Sequence, residues 1–160
     1  MENINFILPE IFISLGIMFL LMLGVFKKNS SSLIYSLSIV TLLVALGLII
    51  NFPSDQEIYL FNASYNIDQL STFMKVVTII SGIFVLISSY KYARLENILK
   101  IEYPILILCS ILGMLVMISS YDLIVFYIGL ELQSLALYVL AAFKRDITKS
   151  SEAGLKYFVL

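Results

Sequence analysis

Five stretches of this chain approach bilayer-crossing length with almost no charge inside them, and a hydrocarbon core is crossed by about 20 apolar residues of helix. They run from about Pro9 to Phe26, Ser32 to Asn51, Leu70 to Tyr90, Pro104 to Ser120 and Asp122 to Phe143. With 61% of its 160 residues hydrophobic and 13% charged, the chain has too little polar surface for a water-soluble domain. Lipid offers backbone groups no hydrogen bonds, so such runs must close their own bonds as helices. A sixth run opens at "SSEAGLKYFVL", where two serines and an acid mark a helix start, and covers about residues 152–160. The expected fold is therefore an all-α integral membrane protein, with five complete transmembrane helices and the beginning of a sixth.

Charge in the connecting segments predicts orientation. Of ten Lys and Arg residues, eight fall between spans one and two (Lys27, Lys28), three and four (Lys91, Arg94, Lys100) and five and six (Lys144, Arg145, Lys149). The opposite segments, 1–8, 52–69 and 119–122, hold none. The positive-inside rule then puts the N-terminus on the outer face. The longest outer segment, "FPSDQEIYLFNASYNID", alternates over short stretches and suits a small hairpin. Its Asn62-Ala63-Ser64 has the form of a glycosylation sequon, a triplet common by chance.

Other residues exclude chemistry. A single cysteine, Cys109, permits neither an intrachain disulfide nor a cysteine-built metal or iron–sulfur centre, and the absence of histidine removes histidine haem ligation. Cys109 reads as packing. No phosphate-binding glycine loop, internal repeat or basic–aromatic nucleic-acid surface is present, and the N-terminus has neither the basic region nor the cleavage site of a targeting peptide. The abundance of Ile, Leu, Asn, Ser, Phe and Tyr without Trp suits an AT-rich coding genome, such as an organelle's.

Three ionisable residues lie well within apolar sequence. Lys75, about 7 Å into the third span, either snorkels its amine to the outer interface or faces a polar interior. Lys156 follows Glu152 by four residues, so it either forms an ordinary helix pair or points inward as a proton-accepting amine. Glu131 lies about 13 Å and 20 Å from the two ends of its span, too deep for a glutamate to reach water. Facing lipid would cost a few kcal/mol or more, so it should face protein or water. At about 100° per residue, Ser120, Tyr127, Ser134 and Tyr138 share its side of the helix as a polar stripe, with Gln133 on the far side. The plainer alternative is a buried acid that only joins helices.

The sequence "ISSYDLIVFYIGLELQSLALYVLAAFKRD" followed by "KSSEAGLKYFVL" resembles the subunit 2 (subunit N) family of respiratory complex I, the proton-pumping NADH:ubiquinone oxidoreductase. The likeness extends back to the "LPEIF" start. It implies the N-terminal part of an antiporter-like subunit of about fourteen helices, with inverted repeats and broken helices. It also implies that Glu131 and Lys156 take part in proton translocation. This subunit would carry no cofactor itself, while the complex would use NADH, FMN, iron–sulfur clusters and ubiquinone. Partners would be the other membrane-arm subunits, membrane lipids and, if the gene is split, a second chain with the remainder; nucleic acid is not among them. Because the sequence stops at Leu160, ahead of the broken helices and further lysines of that family, it reads as a fragment or a split-gene product. A split mitochondrial gene is favoured, which places the protein in the mitochondrial inner membrane, or alternatively in a bacterial plasma membrane. Similar acid–lysine logic would serve a multisubunit sodium/proton antiporter or a membrane-bound hydrogenase, and a purely structural membrane subunit is the third reading.

Overall fold

The computed structural model describes residues 6–26, 31–51, 58–61, 64–96, 98, 100–144 and 147–159. Six helices follow one another as α1 (Leu8–Phe26), α2 (Ser31–Asn51), α3 (Gln69–Leu95), α4 (Glu102–Ile118), α5 (Leu123–Ala141) and α6 (Thr148–Val159). Between α2 and α3 lies a hairpin of β1 (Ile58–Leu60) and β2 (Tyr65–Ile67). The fold is all-helical apart from this hairpin. Helices α1, α2, α3 and α5 are each long and apolar enough to cross a membrane. At 17 residues α4 is shorter, about 25 Å at the helical rise. It packs against α1, α2, α3 and α5, so much of its surface meets protein rather than lipid.

Two helix limits differ from the sequence expectation. Helix α3 continues to Leu95, past the expected end at Tyr90, and reaches about 40 Å, beyond the roughly 30 Å of hydrocarbon. Its final turn carries Arg94, near the helix's negative pole, and needs no apolar face once outside the lipid. Helix α6 begins at Thr148 rather than near Glu152. The Ser151 hydroxyl donates to the Thr148 carbonyl, and the Ser150 hydroxyl reaches back to the carbonyl of Ala141.

The core follows a helical stripe in each element. In α1 it is Glu10, Ile13, Ile17, Leu20 and Gly24; in α3 it is Ser71, Lys75, Ile79, Gly82 and Leu86. These stripes meet Ile34, Leu42 and Ala45 of α2 and Leu108, Ile111 and Leu115 of α4. Cys109 is partly buried and packs against this core, as a small apolar group does.

The hairpin pairs antiparallel, with Ile58 opposite Ile67 and Leu60 opposite Tyr65. The turn between α4 and α5 extends it: the Asn66 amide donates to the Ser119 carbonyl at 2.8 Å and the Tyr121 amide to the Ser64 carbonyl at 3.0 Å. A ring contact between Tyr59 and Tyr121 closes the same seam. Asp68 leads directly into α3 through a capping box with Ser71. Asn62 and Ala63 of the sequon lie outside the described residues.

Helices α4 and α5 make the closest packing in the bundle. A Cβ placed on Gly113 would lie 2.7 Å from the Gln133 nitrogen and from the Gly129 carbonyl oxygen, and one on Gly129 would lie 2.9 Å from Gly113 and Met117 backbone atoms. Backbone cannot yield as a side-chain end can, so only glycine fits. Gly113→Leu is expected to push α5 off α4 and cost about 1–3 kcal/mol or more. Thermal unfolding of the purified chain in detergent checks this, with Gly47→Ala, where nothing lies within 4 Å of an added Cβ, as the neutral control.

Candidate proton-handling site

The α4–α5 contact fixes which way Glu131 points. Gly129 and Ala136 are the buried residues of α5, and Glu131 stands two residues after Gly129, about 200° around the helix. Its side of α5 therefore turns away from α4, and the residue is half-buried. Tyr127, one turn earlier and exposed, is close enough for its hydroxyl to interact with the Glu131 carboxylate. Among the described residues, Glu131 makes no ion pair.

The other residues of the expected polar stripe are held by local contacts. The Ser134 hydroxyl donates to the Leu130 carbonyl and that of Ser120 to the Met117 carbonyl, both satisfied by the backbone one turn back. Ser120 also precedes α5 altogether and bridges to Tyr65 of the hairpin. Tyr138 stacks edge-on with Tyr157 and Phe158 of α6. Gln133 has its backbone against Gly113, on the α4 side opposite Glu131.

A second glycine orients Lys156 in the same manner. A Cβ on Gly154 would come within 2.6 Å of the Ala142 Cβ, so this glycine seats α6 against the end of α5. Lys156, two residues on, again lies about 200° from the contact and is exposed. Its amine pairs with Glu152 at 2.7 Å, the ordinary helix pair of the two sequence alternatives. Thus Glu131 and Lys156 are on adjacent helices, yet the lysine's partner within the chain is Glu152.

For Lys75 the structure selects the inward-facing of the two sequence readings. It does not snorkel: its amine lies 2.6 Å from Glu10 Oε1, with the two side chains only 4% and 6% exposed. The reason is its place on the inward stripe of α3, in register with Ile79 and Leu86, which aims the side chain at α1 rather than at the interface. The Tyr65 hydroxyl donates to the same Glu10 oxygen at 2.8 Å and accepts from Lys75 Nζ at 3.1 Å. At 5.1 Å from the centre of the Tyr65 ring, the amine lies beyond the hydroxyl at the ring's edge rather than over its face. Burial, and secondly the Glu10 carboxylate, push the Tyr65 phenol above its ordinary value, so it remains a donor.

Glu10 went unremarked in the sequence because it stands beside Pro9 at the start of a span, where an acid simply complements the helix N-terminus. The available signal was its register with Ile13, Ile17 and Leu20. A third carboxylate feature completes the cluster: among the described residues Glu10 Oε2 is buried without a hydrogen-bond partner. The described residues contain no group of three His, Cys, Asp or Glu placed to hold a metal ion.

Residues 120–160, which include Glu131 and Lys156, match the family described as NADH:quinone oxidoreductase/Mrp antiporter, transmembrane. Over its whole length, the chain matches part of NADH-quinone oxidoreductase subunit N: it is 66% identical to that protein of Pelagibacter ubique, covering 100% of this chain and 34% of the relative. The subunit N of Bartonella bacilliformis is 48% identical over 96% of this chain and 31% of its own. The chain thus spans about a third of the length of the curated relatives it matches. A chain of respiratory complex I from Thermus thermophilus with bound aureothin superposes with a TM-score of 0.77 at 20% identity, covering 94% of this chain and 32% of that one, so it shares the fold.

Removing one member of the buried pair strands the other. Lys75→Met is expected to destabilise the chain by about 3–5 kcal/mol, and the double change Glu10→Gln with Lys75→Met to recover most of that loss. Denaturant titration in detergent of the single and double variants measures both.

Proposed function

We propose that this chain works as the N-terminal transmembrane part of a membrane-arm subunit in a proton-translocating NADH:quinone oxidoreductase, with Glu131 and Lys156 as proton-handling groups. The observation that carries the proposal is the 66% identity to a subunit N along the entire chain. Its redox chemistry belongs to the whole complex, whose NADH, FMN, iron–sulfur clusters and ubiquinone lie outside this chain. The contribution of the chain is electrostatic. An acid such as Glu131 changes charge when it takes up a proton, and moving one charge against the membrane potential requires about 2.3 kcal/mol per 100 mV.

The orientation of α5 supports this role. Glu131 faces away from α4 with Tyr127 beside it and, among the described residues, no ion pair, so a partner of opposite charge would come from the part of the subunit beyond the matched third. Lys156, on the neighbouring helix, would exchange Glu152 for groups of that same remaining part when its pair opens. Other membrane-arm subunits, a chain carrying the remainder if the gene is split, and lipids are the partners in this reading. The bacterial relatives favour a plasma membrane over a mitochondrial inner membrane. The Lys and Arg asymmetry of the connecting segments favours an outer N-terminus, although Lys27, Lys28 and Arg145 lie outside the described residues.

A sodium/proton antiporter subunit is the second reading, supported by the family description, which spans both classes. Glu131→Gln in the assembled complex tests the first. NADH-driven proton pumping should fall to a small fraction of the parent's while assembly stays normal; full pumping would remove Glu131 from the mechanism. Sodium-driven proton exchange without NADH oxidation would instead select the antiporter.

A further inference from the structure

Helices α3 and α5 each pack along α4 and touch each other little, which leaves a groove between them with α4 as its floor. The groove encloses about 520 Å³ and is open along one side. It runs from Gly82 to Tyr92 along α3 and from Met114 to Tyr103 along α4, about 15 Å on each at the helical rise. That is half of the roughly 30 Å of hydrocarbon, the depth of one leaflet.

The chemistry changes from one end of the groove to the other. Its deep part is lined by Val85, Ile107, Ile111 and Leu140, and the two hydroxyls there, of Ser81 and Ser110, donate to the Thr78 and Ile107 carbonyls of their own helices. Such a wall offers water little and suits hydrocarbon. The shallow end is aromatic and basic. Tyr92, Tyr103, Phe143 and Lys144 line it, and the Lys100 amine lies 5.9 Å from the centre of the Phe143 ring. Glu96 is neutralised by Lys144, whereas Lys100 is exposed and, among the described residues, in no ion pair. In the segments at this end, Lys91, Arg94, Lys100, Lys144 and Lys149 outnumber Glu96 and Glu102.

We propose that the groove between α3 and α5 binds an anionic phospholipid, with one acyl chain in the apolar part and the headgroup phosphate at Lys100 and Lys144. The phosphate accepts from the Lys100 amine and from the Lys144 hydrogens that Glu96 leaves free. Tyr92 and Tyr103 stand at headgroup level, where amphipathic rings settle. A basic pocket between helices at one membrane face selects lipids of negative charge, which a neutral headgroup cannot match. A spanning helix from another chain would need a groove through both leaflets, but on α3 this one stops at Ser81, near the middle of the helix. Lipid binding here is independent of Glu131 and of pumping.

Native mass spectrometry of the full chain, released from detergent after mixing with phosphatidylglycerol or with phosphatidylcholine of the same acyl chains, counts the retained lipid. The expected result is one phosphatidylglycerol held per chain and much less phosphatidylcholine. Lys100→Gln, at an exposed and unpaired site that should fold normally, is expected to lower phosphatidylglycerol retention about fivefold and leave phosphatidylcholine unchanged. Val85→Trp, which fills the groove from its half-exposed wall, should remove the single retained lipid. Equal retention of the two lipids by the parent, or retention indifferent to both variants, would overturn the proposal and leave the lipid as unspecific solvent. In the assembled complex, a photoreactive benzoylphenylalanine at position 85 should gain the mass of a phospholipid. A crosslink to protein instead would overturn it too, by showing that a helix covers the groove.

Discussion

Inside a bilayer no water stands ready to complete a hydrogen bond, and this constraint organises the bundle more than any single contact. Hydroxyls meet it locally. Ser38, Thr78 and Ser110 each donate to a carbonyl one turn back in their own helix, so they need nothing from a neighbour. Tyr35 is too long for that and reaches across to the Leu86 carbonyl of α3 at 2.7 Å, binding α2 to α3. The charges cannot be satisfied by backbone at all. Glu10 and Lys75 require each other, and Tyr65, brought in by the hairpin, adds a further bond to the same Glu10 oxygen.

The hairpin thereby becomes part of the membrane structure rather than a cover over it. It is tied to α1 through Tyr65, to α3 through the Asp68 cap and to the α4–α5 turn through Asn66 and Ser64. At the other end, Glu96 pairs with Lys144 and the Tyr103 ring meets Phe143 edge-on, joining the α3–α4 connection to the end of α5. Opposite ends of the bundle are thus held by different chemistry: a buried ion pair at one and a partly exposed pair with aromatic contacts at the other.

Glycine contacts set the direction of the candidate proton-handling residues. Gly113 and Gly129 bring two backbones together, and Gly154 seats α6 against Ala142. In both cases the ionisable residue follows its glycine by two positions, which the helical period turns to the opposite side. Glu131 and Lys156 consequently look outward from the first five helices.

The sequence by itself determined the membrane class, the helical runs, the hairpin's alternation and the face of α5 that carries Glu131, because each is set by hydropathy or by a period of 3.6 or 2 residues. The i,i+4 pair of Glu152 and Lys156 was legible for the same local reason. Even the inward register of Glu10 could be read along Ile13, Ile17 and Leu20. Only the tertiary structure decided that Lys75 turns inward to meet it. Sixty-five residues separate the two, and no local pattern ranks a buried partner above an interface within a side chain's reach. That choice depends on where α2, α4 and the hairpin place α1 relative to α3.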